Sequence, residues 1–195
     1  YHPTGTCFRL TTSWGDIEVN GALLGAFNVA NLAAAVASLL ASGIDINDLK
    51  TQLDKVKPVP GRMEVFPVEG SASVIVDYAH TPDALQRVLQ TLKPLAQARK
   101  GRLWCVVGCG GNRDASKRPL MAQVAQAMAD QAVFTSDNPR DEPIEAILQD
   151  MLTGLGDSTA GLVQVQRDRA VAILTAIWSA QPNDVVVLAG KGHET

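Results

Sequence analysis

The feature that most constrains this chain is a regular alternation of β-type and helical segments from about residue 60 onward. Two β-type runs, 63–68 and 73–76, predict a hairpin. Strands are then predicted at 103–107, 132–135, 162–165 and 185–189, and helices at 82–92, 119–129, 144–152 and 170–180. Thr81 and Pro82 suit the N-cap and the first turn of the first helix. The pattern predicts an α/β domain around a mainly parallel sheet.

The segment before residue 60 has a different organisation. Strands are predicted at 7–12 and 16–19, a helix at 28–41, and a shorter helix at 48–56 with Asn47 as its N-cap. Residues 21–44 carry no charge, but asparagine, serine and abundant alanine favour a buried helix over a membrane span. The proline-rich sequence at 57–61 predicts a domain boundary.

Composition excludes several classes of protein. With 46% hydrophobic residues the chain is not disordered, and a net charge of −3 gives no basic surplus for nucleic acid. No signal peptide is evident, so we expect a cytoplasmic location. Cys7, Cys105 and Cys109 have no nearby histidine to complete a zinc site. We therefore expect them to be reduced packing residues, and we expect no metal site in this chain.

Four polar or glycine-rich turns follow predicted strands, at 77–80, 108–114, 136–140 and 190–194. Because ligands of open parallel sheets bind beyond the carboxyl ends of the strands, these turns predict a ligand site. The turn at 108–114 is neither a dinucleotide fingerprint, since Arg113 takes the third glycine position, nor a P-loop, since no glycine precedes Lys117. It is either a ligand loop or simply a tight turn.

The turn at 136–140 contains groups suited to a carboxylate. Arg140 offers a planar fork, Asn138 offers an amide, and Pro139 between them restricts the backbone. Glu194 adds the opposite charge, which would suit an ammonium group. With Arg113 these residues form a hypothetical amino-acid site, although 137–140 is also an ordinary turn before a helix.

The remaining candidates allow both a functional and a structural interpretation. Asp77 and His80 precede a helix N-terminus and could contact a phosphate, or His80 could be structural. Arg62 could reach across a domain cleft or lie on the surface. Lys117 and Arg118 are predicted to be helix-start charges on a solvated face.

Seven motifs combine, in order, into a family resemblance. They are GAFNVAN at 25–31, GRME at 61–64, DYAHTPDAL at 77–85, GCGGNRD at 108–114, KRP at 117–119, DNPR at 137–140 and GKGHE at 190–194. With this set the sequence resembles the Mur ligases of peptidoglycan synthesis, and within that family the branch that adds diaminopimelate. The ordered set covers most of the chain and is far more specific than any one motif.

The resemblance implies a Rossmann-like C-terminal domain over 60–195, preceded over 1–59 by the tail of an α/β P-loop ATPase-like central domain. It implies an ATP-dependent ligase that joins meso-diaminopimelate to a UDP-MurNAc-dipeptide through an acyl phosphate, as a monomer. ATP and Mg²⁺ would be held mainly by a segment missing here, since the chain has no P-loop, no UDP-binding domain and no metal-bridging modified lysine. We therefore expect a fragment that is inactive alone, with no catalytic residue assigned.

The resemblance also implies residue roles. The diaminopimelate pocket would comprise Arg113, Asp137, Asn138, Pro139, Arg140, Gly190 and Glu194, and the ATP contacts would be Asn28, Arg62, Asp77, Tyr78 and His80. Three alternatives stay open: a ligase that adds lysine or another amino acid, a folylpolyglutamate synthase, and a non-catalytic module that binds an amino acid or nucleotide. A nicotinamide oxidoreductase is disfavoured by the failed glycine fingerprint.

Overall fold

The computed structural model describes residues 5–67, 70–156 and 162–192, which form two compact units that divide between Val59 and Pro60. The first unit contains an antiparallel hairpin, β1 (Thr6–Thr12) and β2 (Gly15–Gly21), followed by α1 (Ala26–Ala41) and α2 (Ile46–Leu53). Ile17, Val19, Val36 and Leu40 pack with α2 into its core.

Two expectations for the first unit are wrong. The N-cap of α2 is Asp45, whose carboxylate accepts from the Asn47 N–H at 2.7 Å, so the helix begins earlier than predicted. An acidic cap fits because a carboxylate satisfies the free N–H groups of the first turn and complements the helix dipole. In addition, α1 is not buried all round, because only Val36 and Leu40 on it are buried. Its alanine-rich face is exposed.

The second unit is a six-stranded sheet with helices packed on it. Its strands are β3 (Glu64–Phe66), β4 (Ser73–Asp77), β5 (Leu103–Cys109), β6 (Gln131–Ser136), β7 (Val163–Val165) and β8 (Val185–Ala189), in the order β3-β4-β8-β5-β6-β7. Only the β3–β4 pair is antiparallel. The predicted hairpin and mainly parallel α/β sheet are therefore confirmed.

The helices of this unit are α3 (Pro82–Ala98), α4 (Lys117–Met128), α5 (Ile144–Leu152) and α6 (Arg169–Ser179). The chain moves across the sheet from β4 to β7 through α3, α4 and α5, and it returns to β8 through α6. Right-handed crossovers therefore put α6 on the opposite face from the other three helices. On that face Ala172 and Ala176 of α6 pack against Trp104, Val106 and Val186.

Helix α3 runs six residues beyond the predicted end near Leu92, through Pro94. A proline inside a helix removes one backbone hydrogen bond and clashes with the preceding turn. Here Pro94 is exposed, whereas Leu92 and Ala96 are completely buried, so burial of that face offsets the local cost. The predicted cap is confirmed, since Thr81 Oγ1 accepts from the Ala84 N–H at 3.3 Å.

The cysteines are all free, but they do not share one environment. Cys105 and Cys109 are buried in β5, as expected for packing residues, whereas Cys7 is exposed on β1 and the packing prediction is wrong there. Burial raises the pKa of Cys105 to about 12 and that of Cys109 to about 11. No helix in the described part of the chain is both long and apolar enough to cross a membrane.

Candidate functional site

The four polar turns meet at one edge of the sheet, because β4, β8, β5 and β6 are neighbouring parallel strands. At the carboxyl ends Asp77 pairs with Ala189, and Cys109 pairs with Ser136. The predicted common edge is confirmed for the described part of these turns, which extends to Gly192. Glu194, the predicted ammonium contact, lies outside the described residues.

Arg62, Tyr78 and His80 form one stacked group. The Arg62 guanidinium carbon lies 4.6 Å from the Tyr78 ring centroid, and the Tyr78 and His80 rings meet edge to face with centroids 4.9 Å apart. The His80 Nδ1 atom lies 2.9 Å from the Tyr78 carbonyl oxygen. Lys117 Nζ donates to the His80 carbonyl at 3.0 Å. The group therefore presents a cation, an aromatic face and an imidazole side by side.

Asp77 lies under this group and is bound on both oxygens by the backbone. Its carboxylate accepts from the Met63 N–H at 2.9 Å and from the Ala79 N–H at 2.8 Å, and only 6% of the residue is exposed. Burial raises the pKa of Asp77, opposed by these two hydrogen bonds and by the Arg62 charge. Met63 has a φ of 48°, which a buried non-glycine residue rarely adopts. Asp77 thus fixes the backbone on which Arg62 and Tyr78 sit.

The side chains of Arg113 and Arg140 both border Gly110. A Cβ atom built at Gly110 would lie 3.0 Å from Arg140 Nη1 and 3.9 Å from Arg113 Cγ. Arg140 Nη1 donates to the Gly111 carbonyl at 2.8 Å, and both arginines are exposed. Among the described residues, no carboxylate lies within ion-pair distance of either guanidinium. The pair is therefore available to an anionic ligand.

The turn at 136–140 is bound directly to the turn at 108–114. The Asn138 carbonyl accepts from the Gly111 N–H at 2.9 Å, and Asp137 Oδ1 accepts from the Asn138 N–H at 2.6 Å. A Cβ at Gly111 would lie 1.9 Å from the Pro139 carbonyl oxygen, so only glycine permits this approach. The two turns therefore act as one structural unit.

The turn that begins at Gly190 lies close to both Asp137 and Tyr78. Gly190 has a φ of 110°, and a Cβ there would lie 2.8 Å from Asp137 Oδ2. Gly192 has a φ of 54°, and a Cβ there would lie 2.9 Å from Tyr78 Cβ. The turn at 190–192 thus runs between the Asp137 carboxylate and the Tyr78 stack.

Asn28 belongs to the first unit. It lies in the first turn of α1, half-buried, and its Nδ2 donates to the Leu24 carbonyl at 2.8 Å. The other predicted site residues within the described range all lie in the second unit. Within the described residues, no group of three His, Cys, Asp or Glu side chains is arranged to hold a metal ion.

Comparison with known proteins places this arrangement in a family. Residues 61–192 match the family model described as "Mur ligase, glutamate ligase domain", and this range is more than half of the chain. The chain belongs to the Mur ligase family. The resemblance given by the seven motifs is confirmed.

The relatives of this Mur ligase chain are longer proteins. It is 45% identical over 194 residues to the UDP-N-acetylmuramoyl-L-alanyl-D-glutamate–2,6-diaminopimelate ligase of Vibrio parahaemolyticus, a match that covers 100% of this chain and 38% of that protein. A solved structure of a ligase of the same name is 44% identical, with a TM-score of 0.69, over 100% of this chain and 39% of the other. A folylpolyglutamate synthase from Mycobacterium tuberculosis shares the fold at 21% identity and a TM-score of 0.71, over 96% and 42%.

Arg118 of this Mur ligase chain is not the solvated helix-start charge that was predicted. It is only 2% exposed, and it forms ion pairs with Glu142 and Asp150, each at 2.8 Å. Burial alone lowers the pKa of Arg118, but the hydrogen bonds to the two carboxylates outweigh burial and raise it. The partners are 24 and 32 residues away in sequence, so no local pattern pointed to this role.

Arg169 is a second residue that sequence reasoning missed. Its guanidinium donates to the Ser136 carbonyl at 3.3 Å and to the Ala189 carbonyl at 3.0 Å, which joins the carboxyl ends of β6 and β8. Burial lowers the pKa of Arg169, and the Asp137 carboxylate opposes that shift. The only local signal was the preceding Asp168, which caps α6 by accepting from the Val171 N–H at 3.0 Å.

Proposed function

We propose that this chain is the acceptor-binding part of an ATP-dependent ligase that adds meso-diaminopimelate to UDP-N-acetylmuramoyl-L-alanyl-D-glutamate. One observation carries the proposal: the side chains of Arg113 and Arg140 both border Gly110, and neither has an acidic partner among the described residues. The name of the Vibrio parahaemolyticus relative, 45% identical over the whole chain, supports the choice of substrate. The chain spans 38% of that relative, so the remaining machinery would lie in segments outside this sequence.

Diaminopimelate differs from lysine by a second carboxylate. Arg140 would bind that carboxylate through the guanidinium edge that Gly111 does not occupy, with Arg113 and the Asn138 amide beside it. Asp137, Pro139 and Gly190 would shape the pocket wall, and Glu194 would pair with an ammonium group. Lysine would leave the arginines without a partner, which costs on the order of 1–3 kcal/mol for each unmade interaction.

The stacked group would serve the nucleotide. Arg62 and His80 would contact phosphate or ribose oxygens, the Tyr78 ring would line the nucleotide site beside them, and Asp77 would act by holding their backbone. We also propose Asn28, a residue of the first unit, as an ATP contact. ATP supplies the phosphoryl group that activates the D-glutamyl carboxylate of the UDP-linked dipeptide, with Mg²⁺ held by groups outside the described residues.

In this reaction the amine of diaminopimelate attacks an acyl phosphate, and phosphate leaves as the amide forms. This chain would orient the amino acid: one contact with a carboxylate and one with an ammonium group fix it so that its other amine points toward the acyl phosphate. Fixing both ends converts an encounter between two solutes into a reaction within one complex. The arginines also counter the negative charge of the substrates.

We propose further that residues 1–59 are the tail of the family's central, ATP-binding domain and 60–195 the acceptor domain. The exposed alanine face of α1, formed by Ala30, Ala34, Ala37 and Ala41, supports this because such a surface suits packing against further structure. Three free cysteines suit a reducing compartment, so we place the protein in the cytoplasm, where it would act as a monomer.

The test is ADP release by the product of the whole reading frame that contains this chain. The assay would contain ATP, the UDP-linked dipeptide and either meso-diaminopimelate or L-lysine. We expect turnover with diaminopimelate only. Turnover with lysine at a similar rate would keep the ligase and refute the role of the arginines, and no turnover with either would favour a binding module.

A further inference from the structure

Glu142 contacts both arginine-bearing turns, one through its side chain and the other through its backbone N–H, and its carboxylate also pairs with a buried cation. Its carboxylate pairs with Arg118 Nη2 at 2.8 Å and also accepts from the Asn112 backbone N–H, one residue before Arg113. Its own N–H donates to the Pro139 carbonyl at 3.1 Å, one residue before Arg140. Contacts of one residue therefore span the gap between the two turns.

Arg118 is the anchor under this contact. Its Nη2 also lies 3.4 Å from the Gly110 carbonyl oxygen, and its Nη1 binds Asp150 on α5. Its Nε is buried with no hydrogen-bond partner. A buried guanidinium with one unsatisfied N–H is costly, and loss of either carboxylate would leave more of its charge unpaired. The two ion pairs of Arg118 are therefore strongly favoured. The carboxylates differ in one respect: Glu142 contacts a site turn, and Asp150 does not.

We propose that Glu142, held by Arg118, is a positioning residue that sets the spacing between Arg113 and Arg140, and thereby the affinity for a dicarboxylic amino acid. This inference rests on the proposed function. A carboxylate held between two arginines is sensitive to their separation, because a displacement of about 1 Å can cost about 100-fold. Without Glu142, the Asn112 N–H loses its carboxylate partner, and the turn at 108–114 loses that link to the turn at 136–140.

Glu142→Ala and Asp150→Ala form a matched pair, because each removes one carboxylate from the same guanidinium. In the complete ligase we expect Glu142→Ala to raise the KM for meso-diaminopimelate about tenfold, with the KM for ATP within twofold. Asp150→Ala should leave both constants within twofold. Glu142→Gln should recover most of the loss, since its side-chain oxygen still accepts from Asn112. Equal effects of the two alanine variants, or no effect of Glu142→Ala, would overturn the proposal.

A second measurement needs no ligand. Amide hydrogen exchange on this 195-residue chain should be at least tenfold faster at Asn112 and Gly111 in Glu142→Ala and unchanged within twofold in Asp150→Ala. Unchanged exchange at both amides would overturn the positioning role directly. If exchange responds as expected but the complete protein does not use diaminopimelate, the positioning contact stands and the proposed function fails.

Discussion

Replacing Gly111 by alanine is the sharpest test of how the two arginine-bearing turns fit together. The new Cβ would lie 1.9 Å from the Pro139 carbonyl oxygen, whereas ordinary contact begins near 3.4 Å. The two atoms must therefore separate by about 1.5 Å, and neither can rotate aside, because the Cβ is fixed to the backbone and the oxygen is part of it. The same movement strains the 2.9 Å hydrogen bond from the Gly111 N–H to the Asn138 carbonyl. No left-handed φ contributes at Gly111, so the effect is purely steric.

The expected losses of stability and of activity follow from that displacement. Overpacking of this kind costs about 1–3 kcal/mol of stability. A shift of about 1 Å at a positioned substrate costs about 100-fold in rate. We therefore expect kcat/KM for meso-diaminopimelate to fall about 100-fold in the complete ligase, with the KM for ATP within threefold. Urea denaturation of the chain should show the smaller stability loss.

Gly156→Ala is the matched control. A Cβ at Gly156 meets nothing within 4 Å and its φ is not left-handed, so this alanine should leave kinetics unchanged and alter stability by less than about 1 kcal/mol. The reasoning is refuted if Gly111→Ala retains kcat/KM for diaminopimelate within threefold of wild type. It is equally refuted if Gly156→Ala loses as much.

Three further predictions rest on separate contacts. Arg140→Ala should raise the KM for meso-diaminopimelate about 100-fold in steady-state kinetics of the complete ligase, because charge-assisted hydrogen bonds contribute about 1.5–3 kcal/mol each. An equal rise in the KM for ATP would contradict the assignment of Arg140 to the diaminopimelate pocket. For Asp184, burial raises the pKa, but hydrogen bonds from backbone N–H groups and Trp104 Nε1 outweigh it, so the folded pKa lies below the usual value. The contribution of ionised Asp184 to folding stability is therefore lost as pH falls through 3.8 toward the folded pKa. The urea concentration at the unfolding midpoint should depend less on pH over that range in Asp184→Asn than in wild type. At pH 8, a thiol reagent should label only Cys7 in the folded chain and all three cysteines in urea, because Cys105 and Cys109 are buried with raised pKa values.

The order and type of the elements could be predicted from sequence because local chemistry and global packing agree there. The helix predicted at 144–152 has the observed bounds of α5, and the Thr81 cap is confirmed. The predictions and the structure differ where a contact between residues far apart in sequence determines the structure. Helix α3 continues through Pro94 because Ala96, beyond it, is buried in the core. The local sequence pattern does not report that burial.

The candidate site could likewise be predicted in part from the sequence. The turns could be located from sequence, because strand ends of a parallel sheet share one edge whatever the loop sequence is. The partners of each side chain could not, because they depend on register between distant segments. The role of Asp77 as an ATP contact stays a prediction, and the structure adds that both its oxygens accept from backbone N–H groups. Arg118 was predicted to be solvated, yet it is buried with Glu142 and Asp150.

These differences separate two kinds of charged residue at the sheet edge. Asp77 and Arg118 are buried and bound by groups of the chain itself, so they contribute fixed geometry. Arg113 and Arg140 are exposed, and within the described residues neither has a carboxylate partner, so they retain capacity for an outside anion. An anion site needs both kinds, because free cations on mobile turns would lose in ordering entropy what they gain in contact. The sequence alone shows only that many charged residues lie in or beside the four turns. Only the distinction between satisfied and unsatisfied groups indicates which two would meet the substrate.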